Sequence, residues 1–249
     1  MLIPIGDLNP VRTTPWVMRL LLAANIGVFL LVQPLGEGVC AQQQLFLEWA
    51  MIPAEVARGS PLTAQEVAAL APGCDLRAAP DKPVHIAVVV STFFHADVLH
   101  LAGNMLFLWV FGNNVEERFG HLRFLVLYLL FGVVAGIAFA VTNPDSTLTL
   151  VGARGAVAGV LGSYLVLHPT ARVTVVVVPL LFLALQLPAV LVLGAWFLLQ
   201  LREVGGDAAA GGGVAYLAHV AGFVAGAAVT LVAGRQPRRR RRHRPRPSP

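Results

Sequence analysis

The chain has 249 residues, of which 57% are apolar and 12% are charged, and its mean hydropathy is +0.73. A soluble globular domain has about 45–50% apolar and about 25% charged residues, so this composition argues against a soluble enzyme, a disordered chain and a nucleic-acid-binding domain. It predicts an all-α polytopic membrane protein, with room for about six spans of ~20 residues.

The formal net charge of +5 comes entirely from the C-terminal tail. Eight arginines lie within 235–249, whereas the rest of the chain has ten basic and thirteen acidic side chains, a net charge of −3. The tail follows an apolar segment and has no interleaved aromatic residues, which argues against nucleic acid as a partner. We predict a disordered cytoplasmic tail that binds anionic lipid headgroups.

Six apolar segments have the composition of membrane-spanning helices. They cover residues 16–32, 98–112, 122–141, 151–167, 173–201 and 214–233. The first has no small-residue cleavage site, so we predict a retained helix and not a signal peptide. The expected organisation is a cytoplasmic segment at 1–15, a membrane domain at 16–234 with a large external loop at 33–83, and the basic tail at 235–249.

The basic residues between the spans indicate the orientation. With the N-terminus inside, the inside segments contain five arginines besides the tail, and the outside segments contain four basic residues. This bias predicts that both termini are cytoplasmic. Seventeen of the eighteen basic residues are arginine, which favours a GC-rich bacterial source and therefore the bacterial plasma membrane.

The loop at 33–83 is too long for a simple connection, and its sequence predicts folded structure. A capping-box pattern at 63–66 precedes apolar residues and indicates a short helix. An apolar cluster at 45–51 is expected at the membrane interface, where aromatic side chains concentrate. The chain's two cysteines, Cys40 and Cys74, both lie in this loop. An external location would allow a disulfide between them, and two separate buried thiols are the alternative.

Polar side chains at membrane depth are candidates for function. His100 and Asn104 are four residues apart and share one face of the second predicted span. Arg154 lies at the start of the fourth span, and His219 lies in the sixth. His95 lies in the turn before the second span and is expected to be a buried structural histidine. The histidines have no HExxH pattern and no carboxylate at helical spacing, so we predict neither a metal site nor a cofactor.

The fourth and sixth spans are rich in small residues. Four glycines recur between 152 and 162, and Gly222 and Gly226 form a GxxxG pattern in the sixth span. Small residues let helix backbones approach closely in lipid, so we predict that these two spans pack against each other.

Taken in order, these motifs resemble those of the rhomboid family of intramembrane serine proteases. The resemblance extends from Trp16 to Ala233. It rests on H-x4-H-x3-N at His95, His100 and Asn104, V-E-E-R-F-G at 115–120, the glycine-rich start of the fourth span, and Ala218-His219 with Gly222 and Gly226. The resemblance implies a six-helix rhomboid-like fold.

The resemblance also implies the arrangement of an active site. In rhomboids the fourth span begins with G-x-S-G, whose serine is the nucleophile, and a histidine of the sixth span is the general base. His219 would therefore be the base, and His100 and Asn104 would be the side-chain donors of the oxyanion hole. Such sites lie in a water-holding cavity below the membrane surface and cleave transmembrane substrates whose helices unwind readily.

The sequence departs from the family pattern at the nucleophile. Its fourth span begins Gly-Ala-Arg-Gly at 152–155, with Arg154 at the serine position. Arginine is no acyl-transfer nucleophile. The chain has five serines, at 60, 91, 146, 163 and 248, and none is expected near His219. We expect Arg154 to face the cavity or water, because an arginine in lipid costs about 3 kcal/mol or more.

Two functions remain open from the sequence. The first is a proteolytically inactive rhomboid that binds transmembrane segments of client proteins, by analogy with inactive relatives. The alternative is an active intramembrane serine endopeptidase, through another nucleophile or because the arginine is a sequence error, and the retained His219, His100 and Asn104 favour it. A small transporter is disfavoured, because the six predicted spans contain no acidic residue. The expected partners are membrane lipids and the transmembrane segments of clients or substrates, and the oligomeric state stays open.

Overall fold

The computed structural model describes residues 2–177, 183–210 and 216–233. Within them the helices are α1 (Trp16–Leu31), α2 (Val39–Trp49), α3 (Pro53–Arg58), α4 (Ala64–Leu70), α5 (Val84–Val90), α6 (Val98–Phe119), α7 (His121–Thr142), α8 (Arg154–Leu167), α9 (Ala189–Ala210) and α10 (Tyr216–Ala233). A 3-10 turn covers Ser91–Phe93, and the strands are β1 (Leu2–Asp7), β2 (Arg172–Val177) and β3 (Ala184–Pro188). The basic tail predicted at 235–249 and the predicted start of the sixth span at 214–215 lie outside the described residues.

The described part of the chain is mostly helical, and three of its helices, α6, α7 and α10, are long and apolar enough to cross a membrane. Shorter apolar helices are α1, α8, and α5 with the turn that follows it. Helices α1 and α8 have 16 and 14 residues, against the ~20 that a perpendicular span needs. The count of six spans therefore stays a prediction.

The fifth predicted span is wrong in its first half, and the fold is not all-α. In place of one helix over 173–201, residues Arg172–Val177 form β2, and α9 begins only at Ala189. The run of β-branched residues in β2 favours an extended backbone, and Pro188, the last residue of β3, comes directly before α9. Strand β2 pairs antiparallel with both β1 and β3, so the N-terminal segment adds a strand to a small sheet.

The second predicted span continues seven residues further than expected, to Phe119, and so includes the buried Glu116. The Glu116 carboxylate accepts hydrogen bonds from the amides of Val17, at 3.0 Å, and Met18, at 2.6 Å, in the first turn of α1. A carboxylate there satisfies amides that the helix leaves free and favours the helix dipole. The expectation of no acidic residue in the spans is thus wrong, and this residue joins α6 to α1.

The loop at 33–83 is folded, and two of its predicted features are confirmed. The capping box at 63–66 is present at the start of α4. Cys40 and Cys74 form a disulfide, with their Cα atoms 5.4 Å apart. The disulfide ties α2 to the segment that follows α4.

The apolar cluster at 45–51 lies mostly inside the protein. Phe46, Leu47 and Met51 are buried, whereas Trp49 is exposed. Leu47 packs in a small core that the loop forms with α3 and α4, Phe46 packs against Phe94, and Met51 belongs to a third cluster with α5 and α7. The position of the cluster relative to the membrane interface stays a prediction.

Helices α8 and α10 pack closely through their glycines, as predicted. A Cβ atom at Gly222 would overlap the carbonyl oxygen of Gly155, and one at Gly226 would overlap that of Gly159. In the same seam, Ser163 Oγ donates a hydrogen bond of 3.2 Å to the carbonyl oxygen of Gly226. The backbone contact fixes how the start of α8 meets the first turns of α10.

We expect Gly226→Ala to lower the free energy of unfolding by about 1–3 kcal/mol, because the added methyl group must push α10 away from Gly159. Gly194→Ala, in α9, is the matched control. None of the described residues lies within 4 Å of a Cβ atom at Gly194, so stability should be unchanged or slightly higher. Denaturation of both variants in mild detergent measures their free energies of unfolding. Equal losses of stability in the two variants would contradict a close backbone contact between α8 and α10.

Candidate functional site

Two cavities lie side by side where α6, α8 and α10 meet. Their volumes are ≈ 310 Å³ and ≈ 180 Å³. His100, Arg154 and His219 line both of them. The larger cavity reaches the folded loop at Phe46 and Met51, and the smaller one reaches α9 at Trp196 and Gln200. The fold thus brings together side chains that are far apart in the sequence.

Arg154 is the first residue of α8 and is half-buried between the two cavities. Just before it, Gly152 has φ +109°, a conformation that favours glycine, and a Cβ atom there would lie 2.5 Å from the imidazole of His100. Among the described residues, the Arg154 guanidinium has no hydrogen bond and no carboxylate within 4.0 Å. In the described part of the chain, Asp97 is the carboxylate that attracts it from further away.

His219 is buried in α10, and its ring is held from three sides. Its Nδ1 lies 2.6 Å from Gln200 Oε1 on α9. Because an amide oxygen only accepts hydrogen bonds, Nδ1 carries the proton and Nε2 presents a lone pair. Trp196 stacks on the ring at 6.3 Å between centroids, and Tyr216 meets it edge-on at 5.8 Å.

Gln200 is the functional contact that the sequence analysis missed. It is the only amide or charged side chain within the apolar run 189–201. A single polar residue in such a run is a signal for a partner inside the protein, because an unpaired amide in lipid is costly. The sequence did not reveal that this partner is His219.

Helix α6 places His100 and Asn104 on one face, at the start of α8. The amide of Ala96 donates to His100 Nδ1 at 3.4 Å, so the hydrogen of that ring is on Nε2. His100 Nε2 and Asn104 Nδ2 are both buried donors without an acceptor among the described residues. A Cβ atom on Gly152 would lie 3.6 Å from Asn104 Nδ2, so both donors adjoin the turn into α8.

His95 occupies a structural position behind His100. The two ring centroids are 5.1 Å apart, and His95 lines neither cavity. Gln33 Nε2 donates to the His95 carbonyl oxygen at 2.7 Å, and Gln33 Oε1 accepts from its amide at 2.9 Å. Within the part of the chain that the structure describes, no three His, Cys, Asp or Glu side chains are close enough to hold a metal ion.

The hydroxyl groups of the site differ from the sequence expectation in one respect. Ser91 lines the larger cavity together with His219, and Ser163 does not, because it faces the seam with α10. From the sequence no serine is expected near His219, because the short helix α5, which brings Ser91 to the cavity, is not among the predicted elements. Ser91 Oγ already donates to the carbonyl oxygen of Val88 at 3.1 Å.

The arrangement combines a cation, two unpaired neutral donors and one histidine lone pair. Donors at the Gly152 turn can hold the oxygen of a carbonyl or an anion. The first residue of α8 adds a guanidinium, which stays protonated and is not a nucleophile.

Comparison with known proteins gives the same family across most of the chain. The family model described as Rhomboid domain matches residues 84–236, more than half of the sequence. Rhomboid protein 1, mitochondrial, of Saccharomyces cerevisiae is 34% identical over 149 residues, which cover 57% of this chain and 40% of that protein. Rhomboid protease GluP of Bacillus subtilis is 42% identical over 71 residues, 28% of this chain and 13% of that protein.

A human relative, the presenilin-associated rhomboid-like protein, mitochondrial, is 28% identical over 95 residues, which are 37% of this chain and 25% of that protein. The matched regions thus cover no more than 40% of the length of these three relatives.

Proposed function

The chain belongs to the rhomboid family, and on that premise we propose that it is a proteolytically inactive rhomboid that binds the transmembrane segments of client proteins. The observation that carries this proposal is the position of Arg154, which begins α8 and lines both cavities with His219. By the resemblance, this is the position of the serine nucleophile. A guanidinium stays protonated and does not attack a carbonyl.

The rest of the site remains suited to binding. Removing the nucleophile of such a site abolishes most of the catalysis but leaves substrate binding and the oxyanion donors in place. A client helix that unwinds at its end has free carbonyl oxygens. His100 Nε2 and Asn104 Nδ2 are donors without a partner in the described structure, and they can pair with such oxygens.

We also propose six spans in a bacterial plasma membrane, with both termini in the cytoplasm and α1, α8 and α9 as the less regular spans. The contacts between connecting segments support this topology. At one end, β1 pairs with β2, and the amide of Arg12 donates to Glu117 at 3.0 Å. At the other end, the amide of Ala54, in the loop at 33–83, donates to the carbonyl oxygen of Ser146 at 2.9 Å. Connections predicted on the same side therefore meet one another.

The proposal predicts that the unchanged protein, in lipid nanodiscs, neither cleaves a model transmembrane substrate nor reacts with a fluorophosphonate serine probe. It also predicts that a photo-crosslinking transmembrane peptide is captured and that the same peptide without the crosslinker competes for the site. An active rhomboid protease is the positive control for the probe and the substrate. Cleavage by the unchanged protein that disappears in His219→Ala would contradict the proposal.

An active serine endopeptidase is the second candidate. It is favoured by Nε2 of His219, which presents a lone pair, and by Ser91, which lines the same cavity. This candidate predicts cleavage and probe labelling that are both lost in Ser91→Ala. The hydrogen bond from Ser91 to Val88 competes with any use of that hydroxyl as a nucleophile.

A further inference from the structure

We infer that the cavity selects client segments that carry an acidic side chain near one end of the transmembrane helix. The inference rests on the proposed function, because it names the feature of the client that the site would recognise. It is carried by three groups that surround the start of α8: the guanidinium of Arg154, Nδ2 of Asn104 and Nε2 of His100.

The cation of the site has no counterion in the described structure. Among the residues that the structure describes, no aspartate or glutamate lines either cavity. Asp97 attracts Arg154 only from beyond ion-pair distance, and its Oδ1 accepts from the amide of His100 at 2.7 Å as the cap of α6. A partly buried cation without a partner is unfavourable, and a carboxylate brought by a ligand would compensate it.

The neutral donors point to the same ligand. Asn104 is only 7% exposed, yet its Nδ2 has no acceptor among the described residues, and His100 Nε2 is in the same situation. Helix α8 begins beside them with no side-chain cap and no acidic residue in its first turn. The free amides and the dipole of a helix N-terminus add to the preference for an anion. A carboxylate has two oxygens and about four acceptor sites, which matches these donors.

The walls of the cavity favour a client side chain over a lipid headgroup. The smaller cavity, which all three donors line, has apolar side chains around them, among them Phe107, Val157 and Leu161. A lipid phosphate with its glycerol and hydroxyl groups would leave several polar atoms against these apolar walls without hydrogen bonds. A single carboxylate on an apolar helix needs only the donors that are present.

The test compares two series of apolar transmembrane peptides of about 25 residues. Each peptide of the first series has a single glutamate, placed at one position within the last two helical turns at either end. Each peptide of the second series has glutamine at the corresponding position. Binding is measured by fluorescence transfer to the full-length protein in phosphatidylcholine nanodiscs. At its best position, glutamate should bind about tenfold more tightly than glutamine or better, as expected for a charge-assisted hydrogen bond.

Three variants test whether the Arg154 guanidinium is responsible for the preference for glutamate. Arg154→Gln should abolish the preference, so that the glutamate and glutamine peptides bind this variant with equal affinity. Arg154→Lys keeps the positive charge and should keep part of the preference for glutamate. Its behaviour shows whether Arg154→Gln acts by removing the charge or by disturbing the fold. Arg172→Gln removes an exposed arginine at the start of β2, outside both cavities, and should have no effect.

The outcomes separate this inference from the proposed function. Equal affinity for both peptides, or a preference that survives Arg154→Gln, overturns the inference while client binding stands. If neither peptide binds, the proposed function fails and the inference with it. Phosphatidylglycerol in the nanodiscs should leave the preference intact, and its loss there would assign the site to lipid headgroups and overturn the inference.

Discussion

Arg154→Ser is expected to convert the protein from no detectable peptidase activity to weak, His219-dependent cleavage of a model transmembrane substrate. The new hydroxyl would stand at the first residue of α8, in the cavity that His219 lines. Gln200 holds Nδ1 of His219, so its Nε2 is available to take the serine proton. Restoring the nucleophile of a serine–histidine site should raise the rate by about 10³-fold or more.

Control variants separate catalysis by this site from other effects. Arg154→Ala opens the cavity without supplying a hydroxyl and should remain inactive. The pair Arg154→Ser with His219→Ala should lose both cleavage and fluorophosphonate labelling. Arg154→Ser with Gln200→Leu should be slower than Arg154→Ser alone, because the imidazole loses the group that fixes its tautomer. A folded Arg154→Ser protein without activity would mean that the site lacks more than its nucleophile.

The parts of the site that the sequence could predict depend on local spacing. His100 and Asn104 share a helix face because they are four residues apart, and the glycines of α8 and α10 mark a close contact by their periodicity. Their convergence on one cavity follows from the resemblance to a known family. Composition alone would have indicated only an apolar helical bundle.

The parts that the sequence could not predict depend on long-range partners. Glu116 lies in α6 but caps α1, and Gln200 lies in α9 but orients His219. The β2 segment is apolar enough to resemble a span, and it becomes a strand because β1, more than 160 residues earlier, pairs with it. Short apolar runs do not distinguish a strand from a helix without such a partner.

The folded loop at 33–83 is part of the site and not only a connection. Met51 lines the larger cavity, and its carbonyl oxygen accepts from the amide of Leu150 at 2.7 Å. Leu150 belongs to the segment that leads into Arg154. Interactions that hold the loop in place therefore also support the wall of the cavity, and one of them is a buried ion pair.

Glu55→Gln is expected to lower the free energy of unfolding by about 3–5 kcal/mol, because it leaves a buried cation without its counterion. Lys82 Nζ lies 2.6 Å from Glu55 Oε2, and the two side chains are 0% and 2% exposed. A glutamine side chain can still accept the hydrogen bond from the amide of Leu62, which lies 2.9 Å from Glu55 Oε1. The lost stability therefore reports on the missing charge. Adding Lys82→Met should recover most of the stability, because no charge is then buried.

The pH dependence of Glu55→Gln distinguishes the loss of charge from any other defect. Burial lowers the pKa of Lys82 below its usual 10.5, and Glu55 opposes that shift, so without Glu55 the pKa falls further. Between the lowered pKa and 10.5 the unfolded chain binds more protons than the folded one, and stability rises with pH. The difference in unfolding free energy between Glu55→Gln and the unchanged protein should therefore become smaller at alkaline pH, where Lys82 loses its proton. Denaturation at neutral and alkaline pH measures this difference. A defect that is constant with pH, and that Lys82→Met does not relieve, would contradict the loss of the ion pair as its cause.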